Sequence, residues 1–209
     1  MRSQRLTGNV SISFYLRIKI SSLNKATVLI DLNLIEECRG GNLNNFRKLV
    51  ELTSPMAFAV AFRMLGDEDE AKDVVQETMI TIWQKLNKIR SAGVYKTWIY
   101  RIVMNKCYDI LRMRKNNQEF TTDDKTWAFL SETLSEGFTQ TLENEEIARI
   151  IKFLTDLLSP KQKAIFILSE IEQLTGDEIS AITGMGKQGI KANLYYARKN
   201  ISMMLEKYL

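Results

Sequence analysis

The chain has 209 residues, 45% of them hydrophobic and 26% charged, with a formal net charge of +4, enough for one domain or two small ones. It contains no histidine, so the commonest general base, metal ligand and near-neutral proton switch are missing. Two cysteines in no metal-ligand spacing fit a reduced, cytoplasmic setting, and no apolar run reaches the ~20 residues of a membrane span. The basic start, Met1 to Arg5, leads into a stretch broken by Asn9, Ser11, Ser13, Arg17 and Lys19, which is not the apolar centre of a signal peptide.

Residues 1–30 do not match the rest of the chain. Ile12, Phe14, Leu16, Ile18 and Ile20 alternate as in a strand, but a lone strand has no pairing partner, so the segment reads as a loose extension. From Asp31 onward helical periodicity takes over. A short helix over Leu32 to Cys38 ends at Gly40-Gly41. Asn42 to Thr53 reads as a second helix, and Pro55 as the first residue of a third that closes at Gly66. Asp67 caps the next, with Glu70 placed to complete a capping box. Its apolar stripe runs Ala71, Val74, Val75, Met79, Ile82, Trp83, Leu86. Asn87 to Gly93 is a loop, and Tyr95 to about Arg114 a further helix. Residues 116–143 lack a sustained stripe and read as a linker. Helix resumes near Asn144, with Ser159-Pro160 as a later start supported by Gln162. The pattern predicts an all-α protein of two small helical domains, 31–115 and 144–209, after an extension 1–30 and joined by the linker 116–143.

Charge is unevenly placed. Lys96 to Lys115 holds six bases and one acid, Asn116 to Glu146 eight acids and one base, and Met185 to Leu209 five bases and one acid. Two basic blocks around an acidic connector point to two contacts with a polyanion. In the last block, Thr175 and Glu178 form a capping box, Gly184-Met185-Gly186 supplies a turn, and Ile190, Leu194, Ala197, Ile201 and Leu205 anchor a second helix. Lys187, Lys191 and Asn193 then project from its N-terminal end, where a helix-turn-helix reads the major groove. The plain alternative is a helical hairpin with solvated lysines.

The helix from Tyr95 mixes aromatic and basic residues, with Trp98, Ile102 and Asn105 near one face. Exposed aromatics beside cations stack unpaired bases, whereas buried ones are simply core. The acidic run Asp67, Glu68, Asp69, Glu70 matches the helix dipole. Asp73, Gln76 and Glu77 lie beyond the first turn and suit a solvated or protein-docking face rather than a Mg²⁺ site. No phosphate loop, nucleophile–base pair or cysteine cluster appears, so the chain reads as a non-enzyme without cofactor or metal.

Asp73-Val74-Val75-Gln76-Glu77, Trp83, and Thr97-Trp98-Ile99-Tyr100-Arg101-Ile102 with Asn105 and Asp109 resemble region 2 of the extracytoplasmic-function sigma factors. Leu158-Ser159-Pro160, Glu178-Ile179, Gly184 and Tyr196-Ala197-Arg198 resemble region 4 of the same family. The resemblance spans Leu32 to Met204. It implies a transcription initiation factor that binds core RNA polymerase, directs it to promoter DNA and helps melt it. It implies that Asp73, Gln76 and Glu77 meet the polymerase. Arg90, Ser91, Tyr95, Lys96, Trp98, Arg101, Asn105 and Arg112 would contact or melt the −10 element, and the acidic linker would thread the RNA channel. Lys187, Gln188, Lys191, Asn193 and Arg198 would contact the −35 element. It further implies an anti-sigma partner. Gly189, Ala192, Asn193 and Tyr196 depart from the polar or basic residues usual in that recognition helix. The rival readings are a stand-alone helix-turn-helix regulator, which would bind DNA without polymerase, and a metal-dependent nuclease built on the acidic helix.

Overall fold

The computed structural model describes residues 32–89, 92–117 and 152–208. Residues 1–31, 90–91, 118–151 and 209 lie outside them, and with them the extension 1–30, the linker beyond Asn117, Arg90 and Ser91, and the helix start expected near Asn144. Among the described residues every element is helical. These are α1 (Leu32–Arg39), α2 (Leu43–Leu65), α3 (Glu68–Lys85), a 3₁₀ turn (Leu86–Lys88), α4 (Ala92–Asn117), α5 (Pro160–Phe166) with a π-turn after it (Ile167–Ile171), α6 (Gly176–Thr183) and α7 (Lys187–Tyr208). The described residues fall into two compact units. One holds 32–89, 92–117 and 175–190, the other 152–174 and 191–208.

In the first unit α2, α3 and α4 pack together. Their apolar stripes meet through Leu49, Val60, Ala61 and Met64 of α2, Ala71, Val74 and Ile82 of α3, and Ile99, Val103 and Met104 of α4, all buried. Each fully buried aliphatic side chain stabilises by roughly 1.5–3 kcal/mol, so these faces set the bundle. Helix ends follow the capping residues. Asn42 accepts from the N–H groups of Asn44 and Asn45, and Gly66 closes α2 at φ 68° with its N–H on the Phe62 carbonyl.

The proline is where sequence and structure part. Rather than starting a helix, Pro55 sits inside a continuous 23-residue α2. A mid-helix proline costs about 3 kcal/mol or more. Here Leu49 and Thr53 before it, and Ala57, Val60, Ala61 and Met64 after it, are all buried on one face. Burying that face across the break outweighs the lost hydrogen bond.

The second unit begins with residues 152–156 in helix and continues through α5. The expected cap at Ser159 is closed in both directions with Gln162. Lys163 is buried on α5 and donates to Asp156 at 2.6 Å, which compensates its charge inside the fold.

Candidate docking and nucleic-acid interfaces

The face of α3 is shaped by what its carboxylates hold. Asp67 accepts from the Glu70 N–H at 2.9 Å as its cap. The Glu70 carboxylate does not reach back to close the box expected from the sequence. It receives Arg114 of α4 through Nη2 at 2.5 Å and Nε at 3.2 Å, while Arg114 Nη1 donates to the Leu65 carbonyl at 2.9 Å. A two-pronged guanidinium–carboxylate pair is stronger than one more backbone cap, and it ties α4 to the junction of α2 and α3. Seven residues on, Glu77 accepts from Lys106 of α4 at 2.6 Å. Glu77 therefore braces the hairpin, and Asp73 and Gln76 remain as exposed polar residues of the face.

Beside them lies an apolar groove of about 750 Å³ lined by Phe46, Val50, Phe58, Val75, Met79 and Trp83. Trp83 is 44% exposed and meets Phe46 edge-to-face at 4.6 Å. The apolar stripe read from the sequence runs through Trp83, yet not all of that stripe is buried. The buried line is instead Ala71, Val74, Thr78 and Ile82, with Val75 and Met79 half-buried beside it. The signal for the groove was an apolar arc wider than one packing partner needs.

On α4 the expected site residues divide. Tyr95 is completely buried, its hydroxyl 3.3 Å from Thr53 Oγ1. A buried ring cannot meet DNA, so Tyr95 is a support for its neighbours rather than a contact, and burial pushes its phenol well above the usual range. Trp98 is half-buried and tilts against Tyr95 at 6.2 Å. Lys96 stands over the buried Tyr100 ring at 5.9 Å. Arg101 and Asn105 are exposed, and so is Arg112, which pairs with Asp109 at 3.0 Å. Trp98, Arg101, Asn105 and Arg112 follow at intervals of three, four and seven, which sets them along one stripe of α4. Burial raises the Tyr108 phenol to about 12.

The turn between α6 and α7 is built by short-range bonds. Glu178 accepts from the Thr175 N–H at 2.8 Å and Thr175 Oγ1 accepts from the Glu178 N–H at 3.3 Å, so this capping box closes as expected. Gly184 takes φ 72°, Ser180 Oγ donates to the Met185 carbonyl at 2.8 Å, and Met185 N–H donates to Thr183 Oγ1 at 3.2 Å. Lys187, Gln188 and Lys191 are exposed on the first turns of α7, and Asn193 is half-buried. Lys187 is met by Asp177 at 2.7 Å, both well solvated. Arg198 has a different setting from these, because its guanidinium donates to the buried Glu170.

Among the described residues no cluster of three or more potential ligands could hold a metal, and no helix is long and apolar enough to cross a membrane.

Two helical modules with these features define the class. The chain matches the family description of sigma-70 region 2 over residues 49–117 and of sigma-70 region 4 over residues 148–201. It belongs to the sigma-70 family, in its extracytoplasmic-function branch, and is an RNA polymerase sigma factor. It is 30% identical over 150 residues to the RNA polymerase sigma factor SigV of Bacillus subtilis (strain 168), covering 72% of this chain and 84% of that one. It is 22% identical over 178 residues to the ECF sigma factor SigW of the same strain, covering 82% and 94%. Its fold is similar to that of CnrH solved in complex with the cytosolic domain of CnrY (TM-score 0.58, 22% identity, 83% and 96% covered). It is equally similar to that of RpoE in complex with the anti-sigma factor NepR from Bartonella quintana (TM-score 0.58, 21% identity, 78% and 97% covered).

Proposed function

We propose that the chain binds core RNA polymerase through the exposed Asp73 and Gln76 of α3, with Glu77 at the edge of that face. It then engages the −10 element with the α4 stripe and the −35 element with the start of α7. The observation that carries this reading is the alignment of Trp98, Arg101, Asn105 and Arg112 along α4, whose other side is fixed to the acidic helix by Arg114 and Lys106. Trp98 stacks an unpaired base, supported from beneath by Tyr95, while Lys96, Arg101 and Arg112 take phosphates. Arg90 and Ser91, which precede this helix in the sequence and lie outside the described residues, belong to the same −10 assignment. At the other end Lys187, Gln188, Lys191 and Asn193 enter the major groove.

The domain limits 31–115 and 144–209 belong to this reading, as do a cytoplasmic location and the absence of any catalysis by the chain itself. An anti-sigma protein is the partner for the apolar groove. Trp83 and Met79 accept apolar side chains of an amphipathic helix there, and Gln76 at the rim makes this occupancy compete with polymerase.

Permanganate footprinting with holoenzyme tests the −10 assignment. Trp98→Ala is expected to reduce strand opening by about 5- to 150-fold, the loss of a ~1–3 kcal/mol stacking contact, while closed-complex binding changes little. Opening at the wild-type level in a folded Trp98→Ala protein would remove Trp98 from the site. Specific DNA binding without polymerase would favour a stand-alone helix-turn-helix regulator instead.

A further inference from the structure

The approach to the helix-turn-helix holds two unfavourable backbone features side by side. After Phe166, α5 widens into a π-turn over Ile167–Ile171, closed by the Glu172 N–H on the Ile167 carbonyl at 2.9 Å and the Leu174 N–H on the Leu168 carbonyl at 3.0 Å. Gln173, directly after it, takes φ 54°, a left-handed conformation rare for a residue with a side chain. Such features persist where surrounding contacts over-determine them, and π-turns concentrate at functional sites.

Glu170 lies within that π-turn and is 7% exposed. Its Oε1 accepts from Arg198 Nη2 of α7, and Ser169 Oγ stands 3.5 Å away. A buried carboxylate depends on its cation, because removing the partner leaves an uncompensated charge in a poorly solvated place. Arg198 is half-exposed, so its position alone reads as a DNA contact, yet its charge is already neutralised by Glu170. The pair thus joins the strained turn to the helix that carries Lys187 and Lys191.

We propose that Glu170 and Arg198 form a positioning clamp that fixes α7 for −35 recognition, and that Arg198 does not itself contact DNA. This rests on the reading of α7 as the −35 helix. Neither residue touches the DNA; both act through the orientation of the helix that does.

Holoenzyme made with the full chain is titrated onto a promoter duplex at several salt concentrations. Glu170→Gln and Arg198→Gln are each expected to weaken binding about tenfold, with the double substitution no worse than either alone, because the pair acts as a unit. The slope of log K against log salt stays at the wild-type value, since no phosphate contact is lost. Arg198→Lys keeps the charge without the planar fork and recovers part of the affinity. A slope shallower by about one in Arg198→Gln, together with undiminished binding by Glu170→Gln, would make Arg198 a phosphate contact and overturn the clamp. Wild-type binding by both single variants would overturn it as well. Lys191→Gln separates the two levels. If it weakens binding with a shallower slope while the pair variants do not, only the clamp fails. If it too binds like wild type, the −35 reading of α7 fails and the clamp with it. Should Glu170→Gln prove unfolded by thermal melting, Arg198→Gln at its half-exposed position decides the matter.

Discussion

The α3–α4 hairpin and the α6–α7 turn position their working side chains over different distances along the chain. In the hairpin the polar bonds that join the two helices are long-range: Glu77 with Lys106 across 29 residues, and Glu70 with Arg114 across 44. In the turn they are local, Thr175 with Glu178 three residues on and Ser180 with Met185 five residues on. The hairpin therefore uses the same kinds of residue, acids on one helix and bases on the next, both to hold its shape and to face its partners. The turn keeps the two tasks apart, since caps shape it and its lysines stay at the surface. Substituting a charge that pairs α3 with α4 consequently acts on stability first, and substituting a lysine of the turn acts on binding.

That contrast can be broken in order of expected size. Arg114→Ala removes three donors from the Glu70 carboxylate and the Leu65 carbonyl and should lower stability by about 2 kcal/mol, measured by urea unfolding. A loss within error would mean that the long-range pairs do not hold the hairpin. Tyr95→Phe removes the hydroxyl facing the buried Thr53 and should cost about 1 kcal/mol, leaving promoter binding by the folded protein unchanged. Tyr95 also gives a pH signature. Its phenol is raised in the fold, so its neutral form is the one the fold favours. That contribution is complete below the unfolded value near 10.0 and falls away as pH rises above it. Unfolding midpoints of wild type and Tyr95→Phe followed upward from pH 9 should converge. Parallel curves would contradict the burial of the hydroxyl. The smallest effect belongs to the turn. An added Cβ at Gly189 meets nothing within 4 Å, so Gly189→Ala should stabilise by up to about 1 kcal/mol through helix propensity alone. Destabilisation would show that this glycine is held for another reason.

The same contrast explains what could be read from the sequence. Helices α3, α6 and α7, the caps at Asp67, Ser159 and Thr175, and the glycine turn at 184 depend on neighbours in the chain, and each is where the pattern put it. Pro55 inside α2, Trp83 lining a groove, Tyr95 in the core and Glu70 turned to Arg114 were not legible. Each depends on a partner brought close only by the packing of whole helices. Tyr95 is the clearest case. Aromatic and basic spacing marks its helix as a nucleic-acid helix, but whether residue 95 or 98 faces outward depends on the rotation of α4 against Thr53, 42 residues earlier. The groove had a faint signal in the breadth of the α3 apolar arc, and the Glu170–Arg198 pair had none, because a π-turn leaves no period in the sequence.

Binding of the full chain to core polymerase lacking its own sigma subunit tests the account most directly, with wild type compared against Asp73→Lys and Gln76→Lys. Wild type should bind, and both variants should lose at least about tenfold in affinity, as expected for a charge reversed (Asp73→Lys) or introduced (Gln76→Lys) in a protein interface, with unchanged melting temperatures. Equal binding by all three, or no binding by the wild type, would contradict the assignment of α3 as the polymerase face.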